Sequence, residues 1–238
     1  MTDDLALLRL LQLADSGFPS GAYALSHGLE TLAAEGVVTD GDQLAAFIRV
    51  SLISKFARSD LVSLVAAHTA TGPSLDPASD DDALERIVAI DRHLTASKIA
   101  ADDRAGSARV GRRLATEVAR LAPTASMAKF LAAIADGRTS GNAAVAFGLA
   151  GSAFGVGPRD TALAAGSAVV MGLATAAIRL GLIGHGAAQR IISASGPAVI
   201  AAVEEALAGD WRQLRPSAPQ IEIALALHET APSRQFAS

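Results

Sequence analysis

The sequence predicts an all-α protein, a single-domain helical bundle with close-packed Ala- and Gly-rich helices and a C-terminal tail. Half of the 238 residues are hydrophobic and only 4% are aromatic, and much of the apolar content is Ala, the residue with the highest intrinsic helix propensity. Apolar residues recur at steps of three and four, which is the period of an amphipathic helix. Gly, Pro and Asp separate these segments and mark their ends.

The N-terminal part predicts three helices. Leucines between positions 5 and 13 give the first helix, which ends at a loop over Asp15–Gly21 that is dense in Gly, Pro and Ser. A second helix runs through roughly Ala24–Glu35 and stops at Gly36. Thr39 or Asp40 caps the third helix. Its apolar positions are Leu44, Phe47, Ile48, Leu52 and Phe56.

The middle of the chain predicts an exposed loop followed by further helices. The loop covers Thr71–Asp80, and Asp81–Leu121 forms two helices or one bent helix. Ser126–Ala135 is another helix, which Asp136 and Gly137 stop.

Two stretches without charge follow, Thr139–Pro158 and Thr161–Ile178. Each is about as long as a membrane span, roughly 20 residues. They consist mainly of Ala and Gly with Ser and Thr, and small side chains allow helices to approach closely. We therefore expect a buried helical hairpin and no membrane insertion, with an integral membrane hairpin as the alternative.

The C-terminal part changes character after Asp210. A short helix carries Ile191, and Pro197 opens another that ends at Gly209. Beyond these, apolar residues alternate with other residues over Ile221–Leu227, a period of two that is typical of a strand. A lone strand has nothing to pair with here, so we expect an extended or partner-ordered segment. The predicted division is an all-helical domain over residues 1–210 and a partner-binding tail over residues 211–238.

Composition excludes several functions. The formal net charge is −4 and the pI is near 5.7, which argues against nucleic acid as a partner. Cys is absent, so disulfides, thiolate metal sites and Cys nucleophiles are excluded. The N-terminus has no basic region followed by an apolar run, so we expect no secretory signal and a cytoplasmic location.

No catalytic motif stands out. No Gly-Lys dipeptide occurs, which excludes a P-loop of the usual form. The five histidines lack metal-ligand spacing, so we expect no metal, no cofactor and no enzymatic activity. One enzymatic alternative stays open, an acid/base pair of His27 or His228 with Glu30 or Glu229.

A run of arginines is open to two interpretations. The run consists of Arg104, Arg109, Arg112, Arg113 and Arg120, with Asp102, Asp103 and Glu117 among them. Such a pattern is typical of a solvated helix face, and it also suits a docking surface for an acidic partner.

Five segments together resemble the urease accessory protein UreF family. They are Leu10–Glu30, Arg104–Arg112, Val145–Gly148, Ala176–Leu180 and Pro219–Ser238. The first resembles the family's N-terminal signature, with Tyr23 at its aromatic position, and the last resembles its closing segment with Ser233-Arg234. The likeness covers nearly the whole chain in the same order.

The resemblance implies an all-α, dimer-forming accessory protein without enzymatic activity. Members of the family bridge the accessory protein UreD (also called UreH) and the GTPase UreG on apo-urease, so that nickel is inserted into the urease metallocentre. The same resemblance implies partner-binding roles for a set of residues in the first and last motifs. They are Asp15, Ser16, Pro19, Gly21, Tyr23, Glu30, His228, Glu229, Arg234 and Phe236.

Overall fold

Helices make up all of the regular secondary structure that the computed structural model describes, which covers residues 3–71 and 79–237. This confirms the predicted all-α fold class. The helices are α1 (Asp4–Ala14), α2 (Leu29–Ala34), α3 (Gly41–Val50), α4 (Asp60–Ala70), α5 (Ser79–Ser97), α6 (Ala101–Leu121), α7 (Ala125–Ala135), α8 (Ala143–Ala153), α9 (Pro158–Arg179), α10 (His185–Ala194), α11 (Gly196–Leu207) and α12 (Pro219–His228). Most of the loop predicted over Thr71–Asp80 lies outside the described residues.

The centre of the bundle is the contact between α4 and α8, and α6 packs against another side of α8. Every residue of α8 from Ala144 to Gly151 is buried. The close approach depends on Gly148, because a Cβ atom there would lie 2.3 Å from the carbonyl oxygen of Leu64. Small residues thus let the helix backbones meet, as the Ala- and Gly-rich composition predicts.

A buried carboxylate fixes the start of α8. Asp91 on α5 accepts hydrogen bonds from the backbone N–H groups of Ser140, Gly141 and Asn142 at 3.1, 3.0 and 2.7 Å. The hydroxyl of Thr139 donates to the same carboxylate at 2.5 Å. The negative charge therefore satisfies backbone donors at a helix N-terminus that would otherwise be buried without partners.

Helices α8 and α9 form the predicted hairpin. By length and composition α9 alone among the described helices could cross a membrane, and 44% of its most apolar stretch is buried inside the protein. It packs against α8, α11, α10, α4 and α1. These contacts on several sides are those of a core helix of the bundle.

Two predictions about local structure are wrong. The second helix begins at Leu29 and not near Ala24, because His27 and Gly28 have positive φ angles of 52° and 87° and interrupt it. The segment Ile221–Leu227 is not extended, since it forms most of α12.

The α12 face that packs on the protein explains the second error. The buried residues of α12 are Ile221, Ala224, Leu225 and His228, which have the spacing of one helix face. Ile223 and Leu227 are exposed on the opposite side. The alternating pattern therefore mixes a buried face with an exposed apolar one.

Candidate functional site

Segments from the two ends of the chain meet at one place in the structure. Helix α12 packs against α2 and α6, and thus brings the first, second and last motifs together. Gly28 makes this possible, because a Cβ atom on it would lie 3.4 Å from both the Cβ of Ala224 and the carbonyl oxygen of Ile221. We call the polar residues at this junction, Glu30, Asp102, His228, Glu229 and Arg234, the tail cluster.

His228 is the centre of the tail cluster. Its Nε2 lies 3.0 Å from Oε2 of Glu30 on α2, and its Nδ1 lies 3.3 Å from Oδ2 of Asp102 on α6. The side chain is only 1% exposed. A carboxylate only accepts, so both hydrogen bonds form together when the ring carries a proton on each nitrogen. The ring then links the end of α12 to two other helices.

Arg234 and Glu229 extend the cluster to the start of α6. Arg234 donates from Nη1 to Oδ2 of Asp102 at 2.9 Å, and from Nη2 to the carbonyl oxygen of Glu229. The carboxylate of Glu229 accepts from the backbone N–H of Ala101 at 2.5 Å. An anion at this position satisfies a free N–H group of α6 and is favoured by the helix dipole.

The last residues of the tail close over the same region. Both oxygens of Glu30 accept backbone N–H groups, from Gln235 at 2.6 Å and from Phe236 at 3.1 Å. Phe236 is 4% exposed, and the guanidinium of Arg179 lies 4.2 Å from the centre of its ring. A buried aromatic ring and a cation on its face hold the chain end in place.

Tyr23 lies next to this closed end. The guanidinium of Arg179 also donates to the carbonyl oxygen of Tyr23 at 3.0 Å, and Ala237 donates to the carbonyl oxygen of Ala24 at 2.7 Å. The backbone around Tyr23 is therefore held by Arg179 of α9 and by the tail, while Tyr23 itself is 62% exposed. The phenol is free to contact another molecule.

The other predicted site residues lie in the loop between α1 and α2. Asp15 accepts from the backbone N–H of Gly17 at 2.6 Å, and Gly21 has a φ of 78°. Ser16 and Pro19 are exposed, with the buried ring of Phe18 between them. This loop borders the C-terminal half of α6 and makes no described side-chain contact with the tail cluster.

Sequence reasoning missed a second, buried group of charges. Lys55 lies 3.0 Å from Oδ2 of Asp103 and 2.7 Å from Oε1 of Glu222, and Lys98 lies 3.0 Å from Oδ1 of Asp60. Both lysines are nearly fully buried. Since Glu222 belongs to α12, the group fixes the tail helix to the body. Its members are far apart in sequence, and nothing local in the sequence marks them.

Burial and mutual attraction set the protonation of these charges. Burial alone raises the pKa of Asp103, but Lys98 and Lys55 outweigh it and hold that pKa below its usual range. Burial alone lowers the pKa of Lys98, and the carboxylates of Asp103 and Asp60 more than reverse this effect. Lys98 and Asp103 therefore both stay charged.

His27 lies beside this buried group and behaves differently. Burial is the main cause that lowers its pKa to about 4, and Lys55 and Lys98 add to the effect against the opposing charge of Asp103. Its ring makes an edge contact with Phe56, with centroids 5.2 Å apart. His27 is therefore neutral at pH 7 and serves as a packed core residue.

The geometry does not suit a metal centre or a catalytic pair. No group of three or more His, Asp or Glu side chains within the described residues could hold a metal ion. In the tail cluster, Glu30 and Asp102 bind opposite nitrogens of one ring and so do not converge on a point. In the His228–Glu30 pair that an acid/base enzyme would use, the side chains are only 1% and 15% exposed.

Comparisons with known proteins agree with the sequence resemblance. A family model described as UreF matches residues 38–196. Proteins named "Urease accessory protein UreF" are similar over nearly their whole length. That from Trichodesmium erythraeum is 31% identical over 97% of this chain and 96% of its own. Those from Photorhabdus laumondii and Methylobacterium radiotolerans are 30% and 32% identical over 98% of this chain, and over 99% and 97% of their own.

The similarity to these relatives covers nearly the whole chain and so extends beyond residues 38–196. The relatives are named as accessory proteins and not as enzymes. The chain belongs to the UreF family of urease accessory proteins.

Proposed function

We propose that this protein is a non-catalytic scaffold in the maturation of the urease metallocentre. It bridges a UreD-type (UreH-type) accessory protein and the GTPase UreG on apo-urease, in the cytoplasm and as a homodimer, so that nickel is inserted. Nickel is the cargo of this assembly, and the partner GTPase supplies nucleotide hydrolysis. No nucleic acid or membrane takes part.

The observation that carries this proposal is the closed tail. Residues 211–238 are the partner-binding segment, and the tail cluster holds their end against α2 and α6 beside the exposed Tyr23. Such an arrangement offers a large, fixed surface with an aromatic side chain and an arginine at its edge, two residue types that are enriched in interface hot spots. A scaffold needs this kind of surface and no reactive centre.

The predicted site residues divide into two roles. Tyr23 and Arg234 have exposed side-chain surface and contact the partner, as do Asp15, Ser16 and Pro19 on their own loop. His228 and Phe236 are buried, so they position the tail, together with Glu30 and Glu229. Gly21 allows the left-handed backbone that the loop requires.

Co-expression with the urease operon proteins tests the proposal. Tyr23→Ala and Arg234→Ala should weaken the complex with the UreD-type partner and lower urease activation, by about 10- to 100-fold in affinity for residues of this kind. Affinity is measured by titration of purified partners, and activation by nickel content and urease activity. Arg159→Ala is the matched control, because it removes another arginine that pairs at the surface, with Glu204 at 2.8 Å.

The free variants should keep the helicity and the melting temperature of the parent protein, since exposed ion pairs contribute little to stability. Binding at parent strength by both variants would overturn the assignment of this surface. If Arg159→Ala lost as much affinity as Tyr23→Ala and Arg234→Ala, the loss would not be specific to the surface around Tyr23 and Arg234.

A further inference from the structure

The N-terminal helix α1 has an apolar face that no other part of the described chain covers. Leu5, Leu7, Leu8 and Leu11 are 53%, 47%, 63% and 60% exposed. The opposite face of α1 carries the buried residues Ala6, Leu10 and Leu13. Helix α1 also packs against α9. Helices that are apolar all round are normally buried on all sides. Here one side is unpartnered.

The face continues into a groove at the end of the helix. The groove has a volume of about 620 Å³ and lies between the C-terminal ends of α1 and α6, where Leu11, Phe18, Pro19 and Leu121 line it. Leu121 is itself half exposed. We call the four leucines and this groove the leucine face. On a typical monomeric protein the largest exposed apolar patch, roughly 300–600 Å², is often a binding site.

Acidic residues bound the leucine face at both ends. Asp3 and Asp4 precede the helix and begin it, and Asp15 follows it. Arg9 is the one cation in α1, and it is half-buried with its guanidinium 5.8 Å from the centre of the Phe154 ring. The charge at the two ends of α1 is therefore negative, while beside the groove Arg120 on α6 is paired with Glu117 at 2.9 Å.

We propose that the leucine face binds an amphipathic segment of a partner protein whose apolar side chains are flanked by Lys or Arg. Apolar side chains of the segment pack on the leucines and enter the groove, and its cations meet the acidic ends. This site involves none of the residues of the tail cluster. It shares Asp15 and Pro19 with the loop assigned to partner contact above, and it goes beyond that assignment by adding the leucines of α1 and the charge of the partner segment.

The rim disfavours the two other occupants. In a pair of α1 helices, an antiparallel arrangement places Asp3 and Asp4 of one copy near Asp15 of the other, and a parallel arrangement places like ends together. Either brings carboxylates close to one another, at an electrostatic cost. Anionic lipid headgroups are repelled by the same charges.

Two synthetic 14-residue peptides test the proposal on the full-length protein. One contains only Leu and Lys with leucines at helical spacing, and the other has Glu in place of every Lys. We expect the Leu/Lys peptide to bind at least tenfold more tightly by calorimetry. The double variant Leu8→Ser/Leu11→Ser should lose at least tenfold in affinity for it.

The matched control is Ile200→Ser, which removes an equally exposed apolar residue on α11. Neither variant changes the net charge of the protein. If the basic peptide bound only by general attraction to an acidic protein, both variants would therefore bind it as tightly as the parent does. We expect Ile200→Ser to bind as the parent protein does, and both variants to keep the parent's circular dichroism spectrum.

Three results would overturn the proposal. They are equal binding of the two peptides, unchanged binding by the double variant, and loss of binding by Ile200→Ser of the same size. Conversion of a dimer to a monomer by the double variant alone, seen by analytical ultracentrifugation, would instead assign the leucine face to a second copy. Binding of the parent but not of the double variant to phosphatidylcholine vesicles would assign it to a membrane.

Discussion

The buried His27 links the stability of this protein to pH. The pKa of His27 is lowered to about 4 in the folded protein from an ordinary value of 6.5, mainly by burial. Between these values the unfolded chain binds a proton that the folded chain does not. The free energy of unfolding therefore falls as the pH drops from 6.5 towards 4.

The variant His27→Asn tests this link. Asn tolerates the positive φ of 52° at this position and does not titrate. Between pH 7 and pH 4.5 we expect the parent to lose about 2–3 kcal/mol more than the variant, from a shift of this size. Urea unfolding at the two pH values measures both losses. Equal losses would mean that His27 is not the group responsible.

The surroundings of some charged residues could not be predicted from the sequence. Asp103 follows Asp102 in a run that suits a solvated helix face, yet Asp103 is buried and bound to Lys55 while Asp102 faces His228 and Arg234. Single residues of the first and last motifs could be identified from the sequence. The contacts between them could not, because the pair of Glu30 and His228 joins positions 198 residues apart through tertiary packing.

At the scale of the helices, the close contact of α4 with α8 requires a glycine at position 148. Gly148→Ala places a Cβ atom 2.3 Å from the carbonyl oxygen of Leu64, so the helices must separate. We expect a loss of about 1–3 kcal/mol or more in stability. Gly172→Ala in α9 is the matched control, because nothing lies within 4 Å of its Cβ position.

This control should be more stable than the parent by up to about 1 kcal/mol, from the higher helix propensity of Ala. Thermal unfolding followed by circular dichroism compares the three proteins. A Gly148→Ala variant with the same melting temperature as the parent would contradict the close packing of α4 and α8.

Element types were largely predictable, while some boundaries were not. Asp40 caps α3 as expected, with its carboxylate accepting from the N–H of Gln43 at 2.9 Å. The turns after α3 escaped prediction, because a π-helical turn over Ser51–Lys55 and a 3-10 turn over Phe56–Arg58 leave no clear sequence pattern. They matter for the site, since they bring Lys55 into the interior.

For the whole molecule, burial predicts an order of local stability. Helices α4 and α8 lie at the centre, whereas α1 and α12 are covered on one side only. Local unfolding is easiest where few buried contacts are lost. In hydrogen exchange measured by mass spectrometry, we expect the amides of α4 and α8 to exchange slowest and those of α1 and α12 fastest. Similar rates in all four helices would contradict this order.

The tail cluster also has a consequence for biosynthesis. Glu30 accepts hydrogen bonds from residues 205 and 206 positions further along the chain, and both segments are needed before the surface around Tyr23 is complete. A growing chain on the ribosome lacks that surface until Gln235 and Phe236 have emerged. A chain that ends before His228 never acquires the closed end. We expect assembly with partners through this surface to require a chain that extends to Phe236.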